Sequence, residues 1–410
     1  MRLNRGTVAF CVVLLVVAGS IEACSRPRAT SSGCPGVGRF GGSRGSEKPS
    51  PATVGRPPPV PEALWVVDPS GVVRAFDGRT NRVSATVSTG HMTPVAPELA
   101  VGGSLLWVYQ FDEGVTVVDT GSARVIHHAT VPAAHPLSRN RLYPAFGGLW
   151  IGQPGQLWRV SPAAPAFRAA LPDGFAPTGL AATNQWLWLA EGRRLLRINP
   201  VTGVVTATVD RAVPDDIGQL LGTPRALYAV GRSEIWVLDP DSGASRSVVH
   251  VAGTELVTRL YAADTAVWAT GNCGDVMRVG VPVSAPPQVR TVRISDVSQD
   301  LPAAVALKSL WVADEVRAEV VRVDAGTGQV LARIPVDAAD PDDPGFAVVA
   351  GQQSVWVVDT TVADRLYRVD PATNRLWRLP SATAPSGTGP AGSPVPLRST
   401  FGFVVAPAPR

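Results

Sequence analysis

The sequence predicts an all-β chain, and more narrowly an eight-bladed β-propeller closed by its own C-terminus. The 410 residues are 45% hydrophobic and 17% charged, with 40 Gly and 38 Pro, which suits many short strands joined by turns. An aromatic register recurs at Trp65, Trp107, Trp150, Trp188, Tyr228, Trp268, Trp311 and Trp356, at spacings of 42, 43, 38, 40, 40, 43 and 45 residues. That is the period of propeller blades. A second register, Asp77, Asp119, Ser161, Asn199, Asp239, Gly280, Asp324 and Asp370, follows an apolar run in each repeat.

Each repeat reads as four strands: an apolar inner strand such as "GFAVVAG" (345–351), the Trp strand, a strand entering the second register, and an outer strand such as "QVLARIPV". Asp, Asn or Ser at the second register can accept backbone amides two residues on and so shape the turn between strands three and four. Eight aromatics at one register read as packing between neighbouring sheets rather than a cofactor box. Trp158, Trp236 and Tyr367 repeat the pattern three residues before the second register. Blade one has no apolar strand before "ALWVVD", and the C-terminal "TFGFVVAPAP" has no Trp strand after it. The C-terminus is therefore expected to supply the missing inner strand, a closure that leaves no long exposed edge. Seven blades is the alternative, should the weak repeat at Trp268 be degenerate.

Ahead of the propeller, residues 1–23 read as an export signal: "MRLNR" is positively charged and "TVAFCVVLLVVAG" is apolar but shorter than the ~20 residues of a spanning helix. "IEAC" resembles a bacterial lipobox, which makes Cys24 the expected lipidation site; Glu22 departs from the usual small or apolar residue. Cleavage near Ala23 or retention as a membrane anchor are the alternatives. Residues 24–61 read as a Pro/Gly/Ser-rich tether, 62–380 plus 400–407 as the propeller, and 381–399 as a flexible loop. The chain is thus expected outside the cytoplasm, on the outer face of the membrane or secreted. A Gly36-x-Gly38-x-x-Gly41 match and a Gly41-x-Ser43-x-Gly45 match fall in the tether, without the strand and helix their chemistry requires. Cys34 and Cys273 can pair in an oxidising compartment, but the preferred reading leaves them unpaired.

Residues 1–60 hold eight Arg/Lys and two Glu, so the remainder carries 29 basic and 31 acidic residues. That balance argues against a nucleic-acid partner, which needs a concentrated basic surface. Two acidic registers are candidate sites. Three residues after the aromatic register stand Asp68, Gln110, Gln153, Glu191, Asp314 and Asp359. Thirteen residues before it stand Asp215, Glu255 and Asp343, with Asp300 close by. Carboxylates entering the inner strands could converge on the channel mouth, where Asp215, Glu255 and Asp343 would hold calcium or magnesium through oxygen ligands. Asp215, Glu255, Asp300, Asp343 and Asp314 are the candidate ligand-binding residues. Against this, acidic loops are commonly solvated, and a polar residue ending strand two can satisfy turn amides. His91 and His135 fall in rim loops, and His127 and His128 point to opposite faces of a strand; no catalytic residue is assigned.

The repeats "LWVVD…VRAFDGRTNRVSATV" and "VWVVD…RLYRVDPATNRLWRL" resemble the YVTN-type and streptogramin-lyase-like β-propeller repeats of exported bacterial proteins, over about residues 63–407. The resemblance implies the fold. Lyases of this kind use His and Glu with a divalent metal in the later blades, whereas the last histidine here is His250, so no catalytic residue carries over. The leading expectation is a monomeric, lipid-anchored binding or scaffold module that recognises a protein, a cell-wall component or a small molecule through its rim. A metal-assisted lyase or hydrolase at the channel mouth is the alternative.

Overall fold

The computed structural model describes residues 53–409, except 55–56, 69, 91–96, 111–112, 133–140, 252–255, 264–265, 281–287, 296–300, 338–344, 360–364 and 380–402. Eight antiparallel sheets follow one another along the chain, each a meander from inner to outer strand. Blade seven is representative, with strands Ala303–Ala306, Ser309–Asp314, Glu319–Asp324 and Val330–Pro335. The repeat at Trp268 is regular, with Val257–Ala262, Ala266–Gly271, Asp275–Gly280 and Gln288–Arg293. The count is therefore eight, and the seven-bladed alternative falls.

Closure is as the chain ends imply. The C-terminal strand Phe403–Pro407 pairs antiparallel with Glu62–Val67, setting Val404 opposite Trp65, and becomes the inner strand of blade one. Within the segment expected as tether, Thr53–Val54 adds a short parallel strand to the outer edge of blade eight, Thr53 opposite Trp377.

The aromatic register is core. All seven Trp of that register are essentially fully buried, and each indole removed from water contributes roughly 4 to 6 kcal/mol of hydrophobic free energy before entropy is subtracted. Outer strands are mostly solvent-exposed, as at Val330 and Leu331, and bury a residue near the end of the strand, as at Ile334.

A meander of four strands puts the connections between strands one and two, and three and four, on one face of the ring. The connections between strands two and three, and from each blade to the next, lie on the other. The first face is built of tight turns. Asp324 Oδ1 accepts from the amides of Gly326 at 3.1 Å and Thr327 at 2.6 Å. Asn199 does the same for Val201 and Thr202. Asp239 does so for Asp241 and Ser242, and the Ser242 amide foremost pulls its carboxyl down to about 2.

This turn face also bolts blade to blade. In five blades an arginine lies directly across from the register Trp: Arg159, Arg197, Arg278, Arg322 and Arg368. Directly opposed residues share one face of the sheet, so the guanidinium can stack on its own blade's indole, as Arg322 does over Trp311 at 4.9 Å. Its N–H groups then reach the turn of the next blade. Arg159 donates to the Pro200 carbonyl at 3.1 Å, Arg278 to Ala325 at 3.1 Å, and Arg322 to Pro371 at 2.6 Å. Arg197 donates to the Asp241 carbonyl, next to Pro240, which receives the Trp188 indole N–H at 3.0 Å. Blades one, two and five carry Ala75, Val117 and Val237 at that position. The indole nitrogens of Trp65 and Trp107 have no hydrogen-bond partner among the described residues.

The joint between blades eight and one is the most heavily fastened. Arg368, 2% exposed, donates to the carbonyls of Gly78 and Pro58, and burial lowers its guanidinium to about 10. Buried Glu62 accepts from the amides of Gln352 at 2.7 Å and Gln353 at 3.0 Å and from the Ser354 hydroxyl at 2.6 Å. The first blade thereby caps a turn of the last.

Candidate functional site: the loop face

The opposite face carries every connection from one blade to the next, six to eleven residues long between successive blades, against two to four between strands one and two. Polar side chains at or just past the end of the Trp strand, Gln153 and Glu191 of the register and Asn272 one residue beyond it, hold some of these connections. Gln153 Nε2 donates to the Pro132 carbonyl at 3.1 Å. Glu191 accepts from the Ala176 amide at 2.6 Å and from Arg194 at 2.9 Å. Asn272 exchanges hydrogen bonds with the backbone of Leu256, its side chain accepting at 3.2 Å and its amide donating at 3.0 Å. In each case a side chain at the end of strand two grips the connection that entered the same blade.

Asp68 and Asp314 act within their own hairpins. Asp68 accepts from the amides of Ser70 and Val72 and from Arg74 at 2.6 Å. Burial pushes its carboxyl up, but the hydrogen bonds from Ser70, Arg74 and Val72 prevail and hold it below the usual carboxylate range. Asp314 is fully buried and accepts the Arg317 amide at 3.2 Å. Both carboxylates therefore complete turns.

The second candidate register is placed only at Asp215. It stands exposed at the crest of the connection from blade four to blade five. That connection is pinned from below by the Ile217 amide to the Gly192 carbonyl at 2.7 Å, the Ala212 amide to Arg193 at 2.9 Å, and Arg193 to Pro214 at 3.1 Å. Glu255, Asp300 and Asp343 lie outside the described residues, as do Cys24, His91 and His135. Among the described residues no three His, Cys, Asp or Glu side chains are grouped to hold a metal ion.

Blade six carries two features that spacing did not reveal. Asp275, 1% exposed, pairs with Arg293 at 2.7 Å. Burial raises its carboxyl and the arginine opposes that rise. Cys273, fully buried in the loop-face turn of the same blade, is disulfide-bonded. The chain's other cysteines are Cys11, Cys24 and Cys34, all outside the described residues. This corrects the expectation of an unpaired Cys273; sequence separation is no guide to which thiols a closed ring brings together.

No family model matches the chain, and no curated protein does. Solved structures do. Apo AztD from Citrobacter koseri is 12% identical, with 84% of this chain and 98% of that one covered and a TM-score of 0.56. The computationally designed Ika8 protein is 12% identical over 79% of this chain and 97% of that one, with a TM-score of 0.58. The dihydro-heme d1 dehydrogenase NirN in complex with DHE is 17% identical over 80% of this chain and 75% of that one, with a TM-score of 0.58. AztD and NirN are β-propeller proteins. At these identities the likeness shows the fold and nothing finer.

Proposed function

We propose that this protein is an exported binding or scaffold propeller, lipid-anchored through Cys24, that recognises a protein, a cell-wall component or a small molecule on its loop face. The YVTN-like character of its repeats belongs to the same proposal. The observation that carries it is the division of labour on this face: Gln153, Glu191 and Asn272 fasten connections and Asp68 and Asp314 complete turns, which leaves the loop crests, Asp215 among them, free for contact. Pinned loops on a rigid ring form a preorganised surface, which lowers the ordering cost of binding.

The rival reading, a metal-assisted lyase or hydrolase, requires Asp215, Glu255 and Asp343 to hold a cation. A thermal-shift series with calcium and magnesium separates the two. The binding reading expects no ion-specific stabilisation of the full chain. A shift that disappears in the D215A/E255A/D343A variant would transfer the proposal to the rival. The anchor is tested separately: Cys24→Ser should remove the acyl group detected by mass spectrometry, and absence of an acyl group from the native chain would refute lipidation.

A further inference from the structure

We propose that the disulfide of Cys273 is made to Cys34, and that this bond clasps the N-terminal segment to the loop face of blade six, close to the lipid anchor. The chain has four cysteines, and Cys273 is disulfide-bonded. Its partner is therefore Cys11, Cys24 or Cys34. Cys11 lies inside the apolar run of the export signal, and Cys24 ends the lipobox-like "IEAC". A signal peptide is removed from the mature chain, and a cysteine whose sulfur carries a lipid has no thiol left to oxidise. Cys34 is the thiol that remains. The inference rests on the export and anchoring proposed above.

The blade-six end of the clasp is firmly held. The Cys273 side chain is fully buried, and its carbonyl accepts from Arg293 at 2.9 Å. The Gly274 carbonyl accepts the amides of Ile294 and Ser295, both at 3.0 Å, and Asn272 grips Leu256 on the incoming connection. The far end of the same segment is fixed as well. Thr53–Val54 lies on the edge of blade eight, the Val60 amide donates to the Gly78 carbonyl at 3.1 Å, and the Pro58 carbonyl accepts from Arg368. Thr53 follows Cys34 by 19 residues, which reach about 65 Å when fully extended. That is ample to pass from blade six to blade eight.

Forming the bond takes two protons and two electrons from the pair of thiols. A disulfide-bearing oxidant outside the cytoplasm accepts both and is reduced to a dithiol. The consequence is a shorter leash. Without the bond, the chain leaving Cys24 first meets the ring at Thr53, 29 residues on, a limit of about 100 Å. With the bond it meets blade six after ten residues, a limit of about 35 Å. The loop face of blade six then works next to the membrane, and its partner is one that lies on or projects from that membrane.

The test begins with the full chain purified from host-cell membranes, its free thiols alkylated before tryptic digestion and mass spectrometry. Residues 29–39, which carry Cys34, should be found linked to residues 260–278, which carry Cys273, and reduction should separate them. Cys273 alkylated as a free thiol, or linked to Cys24, to Cys11 or to a second copy of the chain, would overturn the pairing. An unacylated Cys24 beside an intact Cys34–Cys273 link would instead support the pairing and overturn the anchor with its leash. The leash is read by energy transfer from a fluorescent residue at exposed Leu256 to acceptor-labelled lipid, with the acylated full chain in phosphatidylglycerol vesicles. Cys34→Ser is the variant of choice, since Cys273→Ser would bury a hydroxyl in the core of the turn. It should lower the transfer by roughly half or more, as the limit on reach rises about threefold. Equal transfer in the two chains would overturn the leash.

Discussion

The two faces of the ring are made from the same repeat and yet do different things. On the turn face, side chains are spent between blades: five arginines reach from their own Trp to the carbonyls of the next blade's turn. On the loop face, Gln153, Glu191 and Asn272 hold the connection that has just entered their own blade, and Thr178 reaches the Ile217 carbonyl of the next connection at 3.0 Å. The difference teaches that the arginine bolts belong to one face, which leaves the loop crests of the other free to vary. Substitutions should therefore fall into a graded series, severe at the seam and mild at the loop crests.

The largest effect is expected at Val404, 2% exposed and opposite Trp65 in the strand that closes the ring. Val404→Asp buries a charge against an indole and should cost more than about 4 kcal/mol, read as loss of the cooperative urea transition or a large shift in its midpoint. Next comes the seam bolt. Arg368→Met keeps the packing volume but removes the donor to Gly78 and Pro58, at a cost of about 2 to 3 kcal/mol. Arg322→Met, the same bolt one joint away, should cost about 1 to 2 kcal/mol through its bonds to Pro371 and Asn374 and its stacking on Trp311. If both substitutions prove neutral, the bolts do not hold the ring and the contrast between the faces collapses.

A pH series sharpens the same comparison. Asp239 and Asp324 have carboxyls lowered in the folded state, each foremost by a backbone amide in its own turn. A carboxylate whose folded value lies below its unfolded one stabilises the native state above the unfolded value and loses that contribution as pH falls through the folded one. For Asp239 the loss runs from about 3.8 down to about 2. Asn199 already makes the same turn in blade four, so Asp239→Asn should keep the turn but lose at neutral pH the stability that the carboxylate supplies, and flatten the acid limb of a urea-midpoint profile. The smallest effect belongs to the loop face: Asp215→Ala, at an exposed crest, should change stability by less than about 0.5 kcal/mol. A larger loss there would mean that the crest has a structural role.

Much of the architecture was legible because a propeller repeats itself. Eight aromatics at one spacing and an orphan strand at each end of the chain determine blade number and closure without any knowledge of contacts. The bolts were also written in the sequence, as Arg two residues before the second register in five repeats. An arginine on a strand ordinarily reads as a solvated position, and only the register opposite Trp reveals that it crosses to the next blade. The same ambiguity governs Asp314: its residue type suits a ligand site, while its burial and the Arg317 amide make it part of a turn. Thr53–Val54 had no apolar pattern to announce it, since a two-residue strand takes its partner from the sheet edge. The state of Cys273 depended on a spatial neighbour that spacing does not encode.

The central claim, that recognition belongs to the loop face, is most directly tested by site-specific photo-crosslinking of the full chain in its host cell. A photoreactive residue replaces either Asp215 at a loop crest or Ala372 in an exposed turn of the opposite face. The account predicts a discrete covalent adduct from position 215 and none from position 372. Adducts from position 372 alone would contradict it.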